Sequence, residues 1–141
     1  MHERTVIVDA GPLVALLNRA DAYHRWAMTQ FAAIPAPLAT CEPVLTETFH
    51  LLRRIPDGSN RFFELLGRCL LTVDFSLLQE ASAISNLVKR YRSIPMSLAD
   101  ACLVRMSEII PDSVVLTLDA DFRIYRKHRR QMVPTIMPPD R

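Results

Sequence analysis

The chain has 141 residues, of which 50% are hydrophobic, and its formal net charge at pH 7 is +2. This length fits one domain with a sizeable core, so we expect a single domain spanning residues 1–141. The small net charge does not by itself indicate a nucleic-acid-binding protein. No stretch approaches the roughly 18 uninterrupted apolar residues of a membrane span.

The positive charge is concentrated near the end of the chain. Residues 1–119 carry 11 Lys and Arg against 13 Asp and Glu, whereas residues 120–141 carry 6 against 2. Such a cluster can contact a phosphate backbone, or it can be an ordinary solvated helix face. The basic side chains in question are Arg123, Arg126, Lys127, Arg129 and Arg130.

The cysteines indicate a reducing environment. Cys41, Cys69 and Cys102 are odd in number, far apart and set among apolar residues. This pattern is typical of reduced core thiols rather than of a disulfide framework or a zinc site. The first residues, including His2 and Glu3, lack the form of a signal peptide. We therefore expect a cytoplasmic protein.

Short apolar strands alternate with helical segments along the chain. The predicted order is strand 5–8, helices 12–18 and 22–34, strand 38–40, helices 42–54 and 60–68, strand 70–73, helices 76–91 and 97–109, strand 114–118, helix 120–128 and strand 132–136. This alternation predicts an α/β fold in which a parallel sheet of about five strands is covered by helices on both faces, giving three α/β/α layers.

Two acids stand at the ends of predicted core strands. Asp9 follows the first predicted strand and Asp119 follows the fourth. Ligands of open α/β sheets bind outside the carboxyl ends of the strands, so both carboxylates are candidates for function. Each could instead cap the helix that follows it. For Asp9, a sharp turn at Gly11 and Pro12 would leave the carboxylate free to face a metal ion.

Two further acids lie on predicted helices. Glu47 has Val44 and Leu51 one turn away on either side, which predicts an apolar face where an unpaired charge is costly. The edge of an amphipathic helix would also explain it. Asp100 lies three residues after Ser97, which is the spacing of a capping box, with Asp in place of the longer Glu.

If these four carboxylates converge, their repulsion must be cancelled. Two unit charges about 4 Å apart repel by roughly 4 kcal/mol at an effective dielectric near 20. A divalent cation would cancel this repulsion, and all-oxygen ligands favour Mg²⁺ or Mn²⁺ over zinc. Such an ion can activate water and stabilise the leaving oxygen in phosphodiester hydrolysis. The sequence contains no Ser/His/Asp, Cys/His or Gly-rich phosphate-loop pattern that would indicate another chemistry.

Four stretches of the chain resemble the PIN-domain nucleases, in particular the VapC-like toxins. They are VDAGPLVALLNRAD at 8–21, TCEPVLTETFHLL at 40–52, PMSLADACLV at 95–104 and TLDADFRIYR at 117–126, and they occur in the family's order. The resemblance implies a single PIN-like domain with strand order 3-2-1-4-5. The winding direction of such a sheet changes between strands 1 and 4, at the point where ligands bind.

The resemblance also implies roles for individual residues. Carried over position by position, it implies that Asp9, Glu47, Asp100 and Asp119 are the catalytic and metal-binding quartet. Asp121 matches an accessory metal ligand, and Thr117 matches a small hydroxyl residue that supports the site. The basic residues at 123–130 then become candidates for RNA binding.

The activity implied by the resemblance is hydrolysis of RNA by an endoribonuclease that depends on Mg²⁺ or Mn²⁺ and leaves a 5′-phosphate and a 3′-hydroxyl. The implied partners are an RNA substrate, a second copy of the chain and a small protein antitoxin that occludes the acidic pocket, as in type II toxin–antitoxin pairs. An RNA-processing nuclease without a toxin role and a PIN-like binding module that keeps the acids for structure remain alternatives. An aspartyl phosphotransferase is disfavoured, because its second acid would be expected at Gly11.

Overall fold

The computed structural model describes residues 4–140, so the prediction about His2 and Glu3 lies outside the described part of the chain. The strands in chain order are β1 (Thr5–Val8), β2 (Leu38–Ala39), β3 (Leu71–Thr72), β4 (Ser113–Leu116), β5 (Arg126–Lys127), β6 (Gln131–Met132) and β7 (Thr135–Ile136). The helices are α1 (Ala10–Leu17), α2 (His24–Ala33), α3 (Glu42–Leu52), α4 (Gly58–Gly67), α5 (Ala81–Arg90) and α6 (Leu98–Ile109), followed by a 3-10 helix at Ala120–Arg123. None of the helices within residues 4–140 has the length and apolar character needed to cross a membrane.

Five parallel strands form the central sheet in the order β3-β2-β1-β4-β7. Because β5 and β6 form a separate antiparallel hairpin, β7 occupies the outer position that the sequence assigned to a fifth strand. Helices cover the sheet in three α/β/α layers, which confirms the predicted fold class and strand order. The winding direction changes between β1 and β4, so a crevice is expected at their carboxyl ends.

The core lies along β1, β4 and α6. Ile7 and Val8 in β1 and Val115 and Leu116 in β4 are buried, as expected for β-branched and apolar runs in a parallel sheet. Residues 101–104 of α6 are likewise fully buried. The strands that carry the crevice are therefore held on both sides by packed side chains.

The predicted helix at 120–128 is wrong. Phe122 and Tyr125 are fully buried and are spaced by one helical turn, which explains the 3-10 helix. The next six residues, 126–131, are all polar, so a longer helix would have no apolar face to bury, and the chain forms the β5–β6 hairpin instead. The predicted strand at 132–136 is interrupted at Pro134, which has no N–H to donate to a neighbouring strand.

The predicted start of the first helix is also wrong. Helix α1 begins at Ala10, directly after Asp9, so Gly11 and Pro12 belong to its first turn and do not turn the chain away. Pro12 is tolerated there because the first N–H groups of a helix have no partner within it. A Cβ on Gly11 would lie 3.2 Å from the Cβ of Leu118, so glycine allows α1 to approach the chain after β4 closely.

The prediction for the cysteines holds for two of the three. Cys41 and Cys102 are buried free thiols, whereas Cys69 is exposed and therefore is not a core residue. Cys69 follows α4 with a φ of 58°, in the left-handed region where helices commonly end. Its position at the end of a helix explains its exposure, although apolar residues surround it in the sequence.

We expect Gly58→Ala to destabilise the protein and Gly67→Ala to leave its stability nearly unchanged. A Cβ on Gly58 would overlap the carbonyl oxygen of Leu52, whereas a Cβ on Gly67 meets nothing within 4 Å. The overlap should lower the free energy of unfolding by about 1–3 kcal/mol. Urea denaturation of both variants measures this difference, and equal stability of the two would contradict the packing of α4 against the end of α3.

Candidate active site

The structure brings the four predicted quartet acids to one cavity. A space of about 500 Å³ at the carboxyl ends of β1 and β4 is lined by Asp9, Glu47, Asp100 and Asp119. Asp9 lies between β1 and α1, Glu47 lies in α3, Asp100 lies in the first turn of α6, and Asp119 follows β4. Four separate elements thus contribute one carboxylate each to the crevice that the sheet topology provides.

Asp9 is a buried carboxylate held at both oxygens. It is 7% exposed. Its Oδ1 accepts a hydrogen bond from the Ala10 N–H at 2.7 Å, and its Oδ2 accepts one from the Thr117 hydroxyl at 2.7 Å. The pKa of Asp9 is raised from 3.8 to about 7, chiefly by burial. The two hydrogen bonds oppose this rise, and the nearby charges of Asp100 and Glu47 contribute to it.

Thr117 connects Asp9 with Asp119. Its hydroxyl donates to Asp9 Oδ2 and accepts a hydrogen bond from the Asp119 N–H at 3.0 Å. Asp119 Oδ1 in turn accepts from the Asp121 N–H at 2.9 Å and so caps the 3-10 helix. Asp119 therefore caps the 3-10 helix, as predicted, and also lines the cavity.

Asp100 is anchored through one oxygen only. It is 8% exposed and forms the predicted capping box with Ser97: Asp100 N–H donates to Ser97 Oγ at 3.0 Å, and Ser97 N–H donates to Asp100 Oδ2 at 3.3 Å. The Tyr125 hydroxyl donates to the same oxygen at 3.1 Å. Burial and the charge of Asp119 raise the pKa of Asp100. Within residues 4–140 its Oδ1 accepts no hydrogen bond, so this oxygen is available to a ligand.

Tyr125 belongs to the site, although no sequence pattern indicates this. Its ring lies edge-on to Tyr91 and Phe122, with centroids 5.2 Å away in both cases, and it is fully buried. Burial, and then the adjacent charge of Asp100, raise the pKa of the Tyr125 hydroxyl, which remains a donor at neutral pH. The sequence shows only an aromatic residue three positions after Phe122, which is the spacing of a packing residue.

The prediction that Glu47 lies on an apolar face is wrong. Val44 is fully buried, but Glu47 is exposed and Leu51 is 48% exposed. Helix α3 therefore turns Glu47 toward the open rim of the cavity, where the carboxylate makes no hydrogen bond to any residue within 4–140. Partial burial and the charges of Asp100 and Asp119 raise its pKa.

Asp121 is half-buried and is not among the residues that line the cavity. The part played by its backbone is clear, since its N–H is bonded to Asp119 and its carbonyl accepts from Ile124 and Tyr125. The Asp121 side chain therefore has no contact with the cavity that would support its predicted role as an accessory metal ligand.

The carboxylates suit a hard cation that keeps part of its water shell. Within residues 4–140, no group of three or more His, Cys, Asp or Glu side chains is arranged to hold a metal ion directly. Mg²⁺ commonly retains several water molecules and is bound through one or two carboxylates, so an open wall of acids fits it better than a cage would. The raised pKa values of Asp9, Glu47 and Asp100 reflect burial first and the charges of neighbouring acids second, and a divalent cation would offset both.

The five basic RNA-binding candidates do not line this cavity, and the fold uses two of them. Arg126 Nη1 donates to the carbonyls of Arg123, Ile124 and Tyr125, at 2.7 to 3.1 Å. Lys127 Nζ donates to the carbonyl of Ser107 near the end of α6, at 3.3 Å. The other three candidates are exposed: Arg123, Arg129 and Arg130.

A second, more apolar cavity adjoins the acidic one. It has a volume of about 660 Å³, shares Glu47 and Ser97 with the acidic cavity and includes the side chains of Phe75, Leu77 and Leu98. A ligand larger than a single phosphodiester could therefore extend from the carboxylates across an apolar surface.

In the presence of EDTA, we expect the free energy of unfolding to fall as the pH rises from about 4 to about 7. Asp9, with a pKa of about 7, keeps its proton in the folded state at pH values where the unfolded chain, with an ordinary Asp pKa of 3.8, has released it. Because only the unfolded chain ionises at this carboxyl group between these pH values, up to roughly 4 kcal/mol of stability is lost by about pH 7. Urea denaturation at several pH values measures the slope.

Asp9→Asn should flatten this pH dependence, because it removes the titrating carboxyl group at nearly the same size. Asp112→Asn is the matched control. Asp112 is exposed and lies directly before β4, at the end of that strand opposite to the acidic cavity. The control should retain the slope of the unmodified protein. Asp100 and Glu47, whose pKa values are also raised, should leave a smaller slope of the same sign in Asp9→Asn. A slope as large as that of the unmodified protein would contradict the assignment of the buried charge.

The comparisons with known proteins support the fold. No protein-family model and no curated protein matches the chain. Among solved structures, it is similar to the crystal structure of the sarcin–ricin loop-cleaving toxin VapC20 of Mycobacterium tuberculosis, with a TM-score of 0.71 and 24% sequence identity. The match covers 83% of this chain and 92% of that one. This likeness extends over almost the whole toxin and confirms the predicted resemblance at the level of the fold: the chain has a PIN-like fold of the kind found in VapC toxins.

Proposed function

We propose that this protein is an endoribonuclease that depends on Mg²⁺ or Mn²⁺ and is the toxin of a type II toxin–antitoxin pair. The observation that carries the proposal is the convergence of four carboxylates from four elements on one cavity, with Asp9 and Asp100 buried. Isolated buried carboxylates are costly, and such a group of them is the usual protein environment for a hard divalent cation.

In this proposal, some residues of the cavity bind the cation and others hold the binding carboxylates in place. Asp9, Asp100, Asp119 and Glu47 would hold the cation, which when bound lowers the pKa of a water molecule and stabilises the leaving oxygen of a phosphodiester. Asp100 offers its Oδ1 to the cavity while Ser97 and Tyr125 fix its Oδ2. Glu47, at the open rim, is placed to orient a water molecule near the scissile bond.

The proposed substrate is RNA. VapC20, which shares the fold, is a toxin that cleaves the sarcin–ricin loop, and the acidic cavity of the present chain has the chemistry for the same class of bond. The proposed partners are a second copy of the chain and a small antitoxin. The apolar cavity beside Glu47 offers such an antitoxin a surface from which it could cover the carboxylates.

One observation favours a binding module without catalysis. Asp9, Asp100 and Asp119 each accept a backbone hydrogen bond at the start of a helix, so each has a structural function without a metal ion. Titration with Mn²⁺ separates the two candidates, because a ligand that binds only the folded state at 100 times its Kd stabilises it by about 2.7 kcal/mol. An unchanged Tm at millimolar Mn²⁺ would favour the binding module.

We expect purified protein to cleave RNA in the presence of Mn²⁺ and the Asp100→Asn and Asp119→Asn variants to lose this activity. Loss of several kcal/mol of charge stabilisation corresponds to a decrease of at least about 100-fold in rate. Asp112→Asn should cleave at the rate of the unmodified protein. Tm values in EDTA check that the variants are folded. Cleavage by both site variants at the unmodified rate would refute the proposed site.

Tyr125→Phe should weaken Mn²⁺ binding by about 10-fold near neutral pH, as is typical when a hydrogen bond behind a metal ligand is lost. Without the Tyr125 hydroxyl, the pKa of Asp100 rises, so protons compete better for its carboxylate, and binding should recover at higher pH. Calorimetric titration at several pH values measures this shift.

Tyr91→Phe is the matched control for Tyr125→Phe. Its hydroxyl accepts a hydrogen bond from the Arg126 N–H at 2.8 Å and does not contact a quartet acid, although its ring packs against that of Tyr125. Its Mn²⁺ affinity should therefore equal that of the unmodified protein. Equal loss in both variants would attribute the effect to packing rather than to the hydrogen bond with Asp100.

A further inference from the structure

A basic cavity lies at the far end of α6 from the acidic one. It has a volume of about 360 Å³ and is formed by one face of α5, the last turns of α6 and the turn of the β5–β6 hairpin. The charged and titratable residues that line it are Arg90, Arg105, Glu108, His128 and Arg129. Three separate elements thus contribute a positive side chain to one concave surface.

The acids near this cavity already have partners. Arg105 Nε donates to Glu80 Oε1 at 2.7 Å, and Arg105 Nη1 donates to Glu108 Oε1 at 3.1 Å. The second oxygen of Glu108 accepts from the His128 N–H at 2.7 Å, which attaches the hairpin turn to α6. The Glu108 carboxylate is therefore occupied at both oxygens by groups of the protein.

Arg90 and Arg129 differ from those basic residues of this region whose side chains are bonded to the fold. Within residues 4–140, neither guanidinium group has a hydrogen bond or ion pair, whereas those of Arg105 and Arg126 and the ammonium group of Lys127 are bound to the fold. Arg90 and Arg129 are both exposed. They offer two unpaired guanidinium groups at the same cavity, and guanidinium groups bind phosphate oxygens with two parallel hydrogen bonds.

The hairpin turn that carries Arg129 has an energetically unfavourable backbone conformation. His128 and Arg129 have φ values of 48° and 70°, in the left-handed region that glycine and asparagine prefer. Such conformations cost about 1 kcal/mol or more for each ordinary residue and cluster at functional sites. The turn geometry by itself therefore does not account for the basic residues at these two positions.

The two cavities are connected by α6 and β5. Asp100 and Glu108 are eight residues apart on α6, which corresponds to about 12 Å along the helix axis. Strand β5 follows the same path, since Tyr125 contacts Asp100 and His128 contacts Glu108. A nucleic-acid strand rises about 3.4 Å per nucleotide, so this separation corresponds to roughly three or four nucleotides.

We propose that the cavity of Arg90 and Arg129 binds a backbone phosphate of the RNA substrate, a few nucleotides away from the phosphodiester at the acidic cavity. This inference rests on the proposed function for the identity of the substrate. The site positions RNA without contacting the reacting atoms, so its loss should affect KM more than kcat.

The test compares two double variants of equal charge. Arg90→Gln/Arg129→Gln removes the unpaired guanidinium groups, and Arg25→Gln/Arg54→Gln removes two exposed ones from α2 and from the turn after α3. Binding of a fluorescein-labelled hairpin RNA is followed by anisotropy in EDTA over a range of KCl concentrations. We expect the first variant to bind about 10-fold more weakly, with a salt slope smaller by about 1 because one phosphate contact is lost, and the control to bind as the unmodified protein does.

Other outcomes of the RNA-binding test would overturn the inference or change the ligand assigned to the cavity. Equal affinities of the two double variants, or no binding of the RNA by the unmodified protein, would overturn the inference. Equal affinities combined with a Tm increase in inorganic phosphate that only Arg90→Gln/Arg129→Gln loses would assign the cavity to a free anion instead. If the expected difference in binding occurs but the unmodified protein does not cleave RNA with Mn²⁺, the proposed hydrolysis fails and the binding site stands.

Discussion

The hydrogen bond from the Thr117 hydroxyl to Asp9 Oδ2 is the interaction on which the site depends. It joins the ends of the two central strands across 108 residues of sequence, and the same hydroxyl accepts the N–H of Asp119. Because Asp9 and Asp119 are both fixed by this one side chain, the spacing of the two strand-end carboxylates is set by the core. A small residue without a hydroxyl group at position 117 would leave a buried carboxylate with one donor fewer, which costs more than an exposed hydrogen bond does.

The acids of this cavity have structural functions besides the chemical ones that we propose. Asp9, Asp100 and Asp119 each lie at the start of a helix, so the local hydrogen bonds that place them also orient them. These bonds partly offset the cost of burial but do not cancel it, since the pKa values of Asp9 and Asp100 remain raised. The folded protein thus keeps an electrostatic cost, and the cation that we propose for this cavity would remove part of it.

Helix α6 connects the acidic cavity with the basic one. Its first turn carries Asp100 in the acidic cavity, and its last turns carry Arg105 and Glu108 at the basic cavity. The β5–β6 hairpin is held along the helix by three hydrogen bonds, from Tyr125, Lys127 and His128. Since the helix and the hairpin are attached to each other at both ends, the distance between the two cavities is fixed by the fold and does not depend on a flexible loop.

The sequence by itself determined the layer architecture and the edge of the sheet where the acids lie, because apolar runs and their periodicity are local signals. Asp9 and Asp119 follow buried parallel strands, and parallel strands end at the same edge. Tertiary structure decided what depends on contacts between distant residues. Such contacts leave Glu47 exposed and form the hydrogen bond between the Tyr125 hydroxyl and Asp100. They also favour a hairpin where the sequence predicts the end of the last helix.

The same contacts separated the basic residues into those that the fold uses and those that remain unpaired. Arg126 and Arg129 are indistinguishable in a run of charges, but the guanidinium group of Arg126 binds backbone carbonyls and that of Arg129 lines an open cavity. Hydrogen bonds and burial between segments remote in sequence carry no local periodic pattern, and for that reason only the folded chain could assign these roles.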